Sequence, residues 1–86
     1  MHTTISLTVN KRAIAFAMTP EIYNKYIDEL QVSKKVGPTH NMLMRAVTEE
    51  TKPALKELLA MPGAGMMIAG ELVEAYAPDI EVLVGE

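Results

Sequence analysis

The side chains that could perform catalytic or metal chemistry are few and scattered in this chain of 86 residues. Its two histidines are His2 and His40, and neither belongs to a His-x-x-x-His or Glu-x-x-His spacing. Such spacings put two ligands on one face of a helix, so their absence argues against a metal site. The chain has no cysteine, which excludes thiolate catalysis and a disulfide framework and fits a reducing compartment.

The other polar residues make an equally weak case for an active site. Ser6 and Ser33 are isolated in sequence from both histidines, which weakens a hydrolase interpretation. His40 and Arg45 could form a polar site, but a helix-capping loop explains the same residues. The acidic residues are spread over predicted helix ends and outer faces, as on a solvated surface. We therefore predict no enzymatic activity, no catalytic residue and no cofactor.

Methionine is the residue type that stands out. The chain has seven methionines, and five of them lie between Met42 and Met67. At 100° per residue, Met42 and Met67 each lie roughly 150° from the centre of the apolar stripe of its predicted helix, so we expect both to point outward. Methionine is flexible and polarizable, which suits an adaptable binding surface, although it also fills gaps in small cores. We predict a protein-binding surface of Met42, Met44, Met66 and Met67.

A β-hairpin at the start of the chain is the first element that must position these residues. Residues 4–9 and 13–18 alternate polar and apolar side chains, which is typical of half-buried strands. With a two-residue turn at Asn10-Lys11, the numbers of facing residues sum to twenty-one. One face then carries the large apolar side chains of Ile5, Leu7, Val9, Ile14, Phe16 and Met18. The other face carries Thr4, Ser6 and Thr8 against Ala13, Ala15 and Ala17.

Helical segments are predicted to cover the apolar face of the hairpin, which is marginal alone. They are predicted over about residues 20–30, 40–48, 52–60 and 63–77. Thr19 and Thr39 are the expected N-caps of the first two helices, and Gly37-Pro38 closes the loop between them. A β-branched run at about 80–84 predicts a strand that joins the hairpin sheet, at an edge that the sequence leaves open. The sequence thus predicts one α+β domain over residues 1–86.

Composition restricts the partners of such a domain. The net charge is −3, and the largest basic cluster is Lys34-Lys35, so nucleic acid is not an expected partner. No apolar run approaches the roughly 18 residues that span a bilayer, and the N-terminus lacks the pattern of a secretory signal. A cytoplasmic protein without a membrane partner is the expectation.

The order of motifs along the chain resembles a family. The stretches TTISLTVN, MTPEIYNKYIDEL, THNMLMRAVTEETKPALKELL and PGAGMMIAGELVEAYAPDIEVLVGE look like a small tail assembly chaperone of tailed phages and prophages. The resemblance implies a protein of the host cytoplasm that is absent from the finished virion. It implies binding to the helical, apolar tape measure protein, which stays soluble until tail tube protein polymerises around it. A longer frameshifted form, whose extra domain recruits tube subunits, is common in that family.

Two other functions remain open from the sequence. A phage-encoded regulator that binds and inhibits a folded host protein would show the same lack of an active site. An enzyme or small-ligand protein would need a deep polar pocket around His40 and Arg45. If the chain forms a homo-oligomer, the second hairpin face or the edge strands would be where subunits join. Under the chaperone hypothesis, the four methionines would line a groove for an amphipathic helix.

Overall fold

A computed structural model describes residues 2–30 and 36–76 of the chain. Its elements, in chain order, are β1 (Thr3–Val9), β2 (Arg12–Met18), α1 (Pro20–Leu30), α2 (Val36–Ala46), α3 (Lys52–Leu59) and α4 (Ala64–Tyr76). The predicted α+β fold, a hairpin followed by four helices, is therefore confirmed. The strand predicted at about 80–84 lies outside the described residues.

The hairpin has the register that its alternating pattern predicts. Leu7 pairs with Ile14, Ile5 pairs with Phe16, and the strands are antiparallel. Asn10 and Lys11 have φ values of 50° and 67°, which together make the left-handed two-residue turn that matches the twist of a hairpin. Asparagine tolerates this conformation, whereas a left-handed lysine costs roughly 1 kcal/mol. The turn therefore carries a small strain at Lys11.

The two faces of the hairpin differ as the sequence predicts. Ile14, Phe16 and Met18 are fully buried, and the apolar side chains of β1 are half-buried against the same core. On the other face the three hydroxyl residues of β1 are exposed, while Ala15 and Ala17 are half-buried. The hairpin thus contributes one apolar face to the core, and helices cover it.

The outer edge of β2 is covered by the connection between α2 and α3. Val47 forms an isolated antiparallel bridge with Phe16, and the Thr48 backbone N–H donates to the Ala15 carbonyl at 2.9 Å. The Ala15 backbone N–H in turn donates to the Thr51 hydroxyl at 3.1 Å. In this hairpin register the backbone groups of Ala15 point away from β1, so they need partners on that side. The connection supplies them, which the sequence pattern does not reveal.

The helix boundaries agree with the prediction except for α2. Thr19 caps α1, since its hydroxyl accepts the Ile22 backbone N–H at 3.1 Å. Helix α2 begins at Val36 and ends at Ala46, so the predicted range of 40–48 is too late at both ends. Pro38 is tolerated because the first-turn N–H groups of a helix lack intrahelical partners. Thr39 is therefore not an N-cap but a buried residue inside the helix.

The core is a layer of apolar side chains between the hairpin and the helices α2, α3 and α4. Its fully buried large members are Phe16, Ile14, Met18, Met42, Leu43, Leu55 and Leu72. Helix α1 packs on α2 and has no buried residue of its own. Two bidentate ion pairs join neighbouring elements outside this core. Arg12 of β2 pairs with Glu57 of α3, and Arg45 of α2 pairs with Glu29 of α1.

A methionine-rimmed cleft as candidate binding site

The four predicted binding methionines have different environments. Met66 and Met67 on α4 are exposed, with 41% and 74% of their surface accessible. Met44 is half-buried and packs against the core. Met42 is fully buried, so the expectation that it points outward is wrong. Only the α4 pair lies fully on the surface of the described chain.

The error at Met42 has a definite cause in the phase of α2. The buried stripe of the helix is Thr39, Met42, Leu43 and Ala46, which is the i, i+3, i+4, i+7 pattern of an amphipathic helix. The sequence prediction took Leu43, Met44 and Val47 as the apolar stripe and Thr39 as a cap, and this choice turns the apparent stripe away from Met42. In the structure Val47 belongs to the bridge with Phe16. The buried Thr39 hydroxyl lies 3.4 Å from the Tyr26 hydroxyl, within hydrogen-bonding distance.

An apolar cleft lies where the first turns of α2, the end of α3 and the start of α4 meet. Its volume is about 160 Å³, close to the size of a cavity that holds a benzene ring. We call it the α2–α4 cleft, and its lining residues are Val36, Thr39, His40, Leu59, Met61, Gly63, Gly65 and Met66. Such a volume can accept one large apolar side chain of a partner.

Exposed apolar side chains concentrate on the rim of the α2–α4 cleft. Val36, Met61 and Met66 are 70%, 44% and 41% exposed, and Met67 follows directly on α4. Three of the five large hydrophobic residues that are exposed within residues 2–30 and 36–76 thus line one depression. A cluster of this kind on a small protein is typical of a protein-binding site.

Two glycines shape the backbone around the cleft. Gly63 has a φ of 75°, which a residue with a side chain rarely adopts, and it turns the chain from α3 into α4. A Cβ atom on Gly65 would lie 3.3 Å from the Leu59 Cδ2 atom, so glycine allows the two helices to approach closely. Met61 lies just before this turn and accepts a weak hydrogen bond from the Asn10 amide at 3.7 Å. The hairpin turn therefore borders the cleft.

Among the described residues, the polar side chains considered for an active site lie apart from one another, and Ser33 lies outside the described residues. His40 lines the α2–α4 cleft, but Arg45 does not, because its guanidinium binds both carboxylate oxygens of Glu29 at 3.3 Å. Ser6 is exposed on the outer face of the hairpin. Within residues 2–30 and 36–76, no group of three or more potential ligands could hold a metal ion. No helix in that part of the chain is long and apolar enough to cross a membrane.

Three ion pairs lie at or near the surface of the described part of the chain. The Arg12 guanidinium hydrogen-bonds the Glu57 carboxylate and attracts its negative charge, which lowers the pKa of Glu57. This pair joins the hairpin to α3. Lys52 pairs with Glu49 at 3.3 Å at the start of α3. None of these charged side chains lines the α2–α4 cleft, and among the described residues that line it His40 is the one with an ionisable side chain.

Sequence reasoning missed most of the cleft residues. The sequence pattern places Val36 in the loop before the second helix, and it predicts no role for Met61 beyond its membership of the methionine-rich stretch. Met61 lies directly before Pro62-Gly63, where the chain leaves α3 and an apolar side chain cannot join the helical stripe. That position was a usable signal for an exposed apolar residue. Val36 gave no comparable signal.

The chain as a whole is similar to phage proteins. The sequence model of a family described as phage tail assembly chaperone matches residues 5–86. A protein of Haemophilus phage HP1 (strain HP1c1), described as an uncharacterized 11.3 kDa protein in the lys 3′ region, is 26% identical over 81 residues, which are 92% of this chain and 79% of that protein. No solved structure is significantly similar to the chain. The family match runs from β1 through α4 and beyond.

Proposed function

We propose that the chain, which belongs to the phage tail assembly chaperone family, binds the tape measure protein of its phage as its client. It keeps this client soluble until tail tube protein polymerises. The role is non-enzymatic and belongs to the cytoplasm of the bacterial host. The tail tube protein is a second partner, which takes over the client. The α2–α4 cleft is the observation that supports a binding role most directly.

The chemistry of the cleft suits an apolar helical client. A helix in a groove is held by apolar side chains spaced three, four or seven residues apart. One such side chain fits the α2–α4 cleft, and Met67, which lies beside the rim on α4, offers contact to a second. Methionine adapts its shape at little energetic cost, so one surface can accept several segments of a long client.

Co-expression with the tape measure gene from the same gene cluster tests this function. The chain should raise the soluble fraction of the client and co-purify with it. Replacing Met61 and Met66 by serine should reduce both effects, because it removes apolar contacts at the rim of the cleft. Ile27→Ser is the matched control, since Ile27 is a large exposed apolar residue on α1, away from the cleft lining.

Two results would contradict the proposal. If the unmodified chain neither solubilises the client nor co-purifies with it, the proposed function is wrong. If the double serine variant captures the client as well as Ile27→Ser does, the client binds elsewhere on the chain.

A further inference from the structure

Helix α4 has an exposed face whose two ends differ in chemistry. Met66 and Met67 occupy the N-terminal end of this face, beside the α2–α4 cleft, and Glu71 and Glu74 occupy the other end. Glu71 follows Met67 by four residues and Glu74 follows it by seven, so all three share one side of the helix. Gly70 lies between the two ends, and a Cβ atom there would meet nothing within 4 Å. The face is therefore open from the cleft to the glutamates.

The acidic end of this face is not neutralised within the described chain. Helix α4 contains no lysine or arginine. The three ion pairs among residues 2–30 and 36–76 use Glu57, Glu29 and Glu49, and none uses Glu71 or Glu74. Two adjacent exposed carboxylates thus give this end of α4 a negative potential that a cationic partner would offset.

The hairpin turn that contacts Met61 contains a cationic residue. The Asn10 amide contacts the Met61 sulfur there, and the next residue of the hairpin turn is Lys11. A positively charged partner group is therefore favoured at the α4 end and disfavoured at the turn. The charge pattern gives a bound helix a direction.

We propose that the segment bound at the α2–α4 cleft is a cationic amphipathic helix. One apolar side chain of the segment fills the cleft, and a lysine or arginine about two turns away faces Glu71 and Glu74. Eight residues separate Met66 from Glu74, which is about 12 Å along α4, and seven residues of a partner helix cover about 10.5 Å. This inference rests on the proposed function and adds the charge and spacing of the segment.

Two synthetic peptides test the charge requirement on the full-length chain. Both are labelled 20-residue alanine-based helices with leucines on one face, and they differ in carrying lysine or glutamate seven residues from the central leucine. Fluorescence anisotropy should show that the lysine peptide binds about tenfold more tightly, since each exposed ion pair contributes modestly. Raising the salt concentration from about 50 mM to 500 mM should shrink this difference, because salt screens exposed charges.

A charge-matched pair of variants locates the effect on α4. The double variant Glu71→Gln and Glu74→Gln should lose the preference for the lysine peptide. Asp28→Asn with Glu50→Gln changes the net charge by the same amount at two exposed positions elsewhere, and it should keep the preference. If the client is captured in co-expression but the two peptides bind equally, or neither binds, the inference is overturned and the proposed function stands. Equal behaviour of the two double variants overturns it as well.

Discussion

Met42 and Met67, which the sequence predicts to lie on one protein-binding surface, provide the sharpest test of the structure. Met42 is 0% exposed and lies in the core, whereas Met67 is 74% exposed on α4. Replacing each in turn by alanine removes the same atoms from two different environments. The structure predicts that only the first replacement destabilises the protein.

The expected magnitudes follow from burial. Truncating a buried methionine to alanine removes its transfer free energy and leaves a cavity, which together cost about 2–5 kcal/mol. Met42 belongs to a core cluster with Leu43, Leu55 and Leu72, which are also fully buried, and protein cores are close-packed, so little collapse into the cavity is expected. Truncating Met67 exposes no new cavity and should change the free energy of unfolding by less than about 0.5 kcal/mol.

Urea and thermal unfolding, monitored by far-ultraviolet circular dichroism, measure both effects. For a domain of this size a change of 1 kcal/mol shifts the melting temperature by about 4–8 °C, so Met42→Ala should lower it by at least about 8 °C. Met42→Leu is the control for volume, because a swap of similar size costs less than about 1.5 kcal/mol. If Met42→Ala and Met67→Ala unfold at the same urea concentration, the phase of α2 in this structure is wrong.

Three further predictions concern the hairpin and its connections. Lys11→Gly should stabilise the protein by about 0.5 kcal/mol in urea titrations. Glycine adopts the left-handed conformation without strain, but its unfolded state has more conformational entropy, which offsets part of the stabilisation. A loss of stability would contradict the turn geometry. Thr51→Val should cost about 1–3 kcal/mol, because the Ala15 backbone N–H loses its acceptor, and a change below 0.5 kcal/mol would mean that water replaces the hydroxyl. The pKa of Glu57 is lower in the folded chain than in the unfolded chain. Its pair with Arg12 therefore stabilises the folded chain fully at pH values above the pKa of unfolded Glu57, and this stabilisation is lost as the pH falls through the pKa of folded Glu57. Glu57→Gln should therefore destabilise the protein at pH 7, and this effect should shrink as the pH falls below the ordinary glutamate pKa of about 4.3 and through the lower folded pKa. An effect of the substitution that does not change between pH 7 and strong acid would refute the assignment.

The hairpin could be predicted in full because its information is local. Its period of two, the Asn10-Lys11 turn and the pairing of Leu7 with Ile14 are all fixed within one short stretch of chain. A slip of one residue would move every apolar side chain to the outer face, so the pattern allows one register. The Thr19 cap of α1 could be predicted for the same reason.

What could not be predicted depends on contacts between distant parts of the chain. The hydroxyl of Thr51 has the chemistry of an N-cap, yet it makes no side-chain cap and bonds instead to the backbone of Ala15, 36 residues away. Val47 likewise leaves the helical pattern to bridge Phe16. Local propensity cannot distinguish such residues from ordinary residues at the start or end of a helix, because the backbone groups that they contact lie on β2.

The contrast between Met42 and Met66 shows why composition alone could not locate the binding site. Both residues belong to helices, and α2 and α4 pack on each other. Met42 lies on the stripe of α2 that faces the core, whereas Met66 lies where α4 begins and the ends of three helices meet. The ends of helices pack less closely than their sides, since the chain must turn there. Gly63 and Gly65 add no side chains to the space between the ends of α2, α3 and α4. A cleft at helix ends is therefore bordered by residues that the core does not need. Substitutions there should change client binding without unfolding the protein, which is the property that separates a binding methionine from a core methionine.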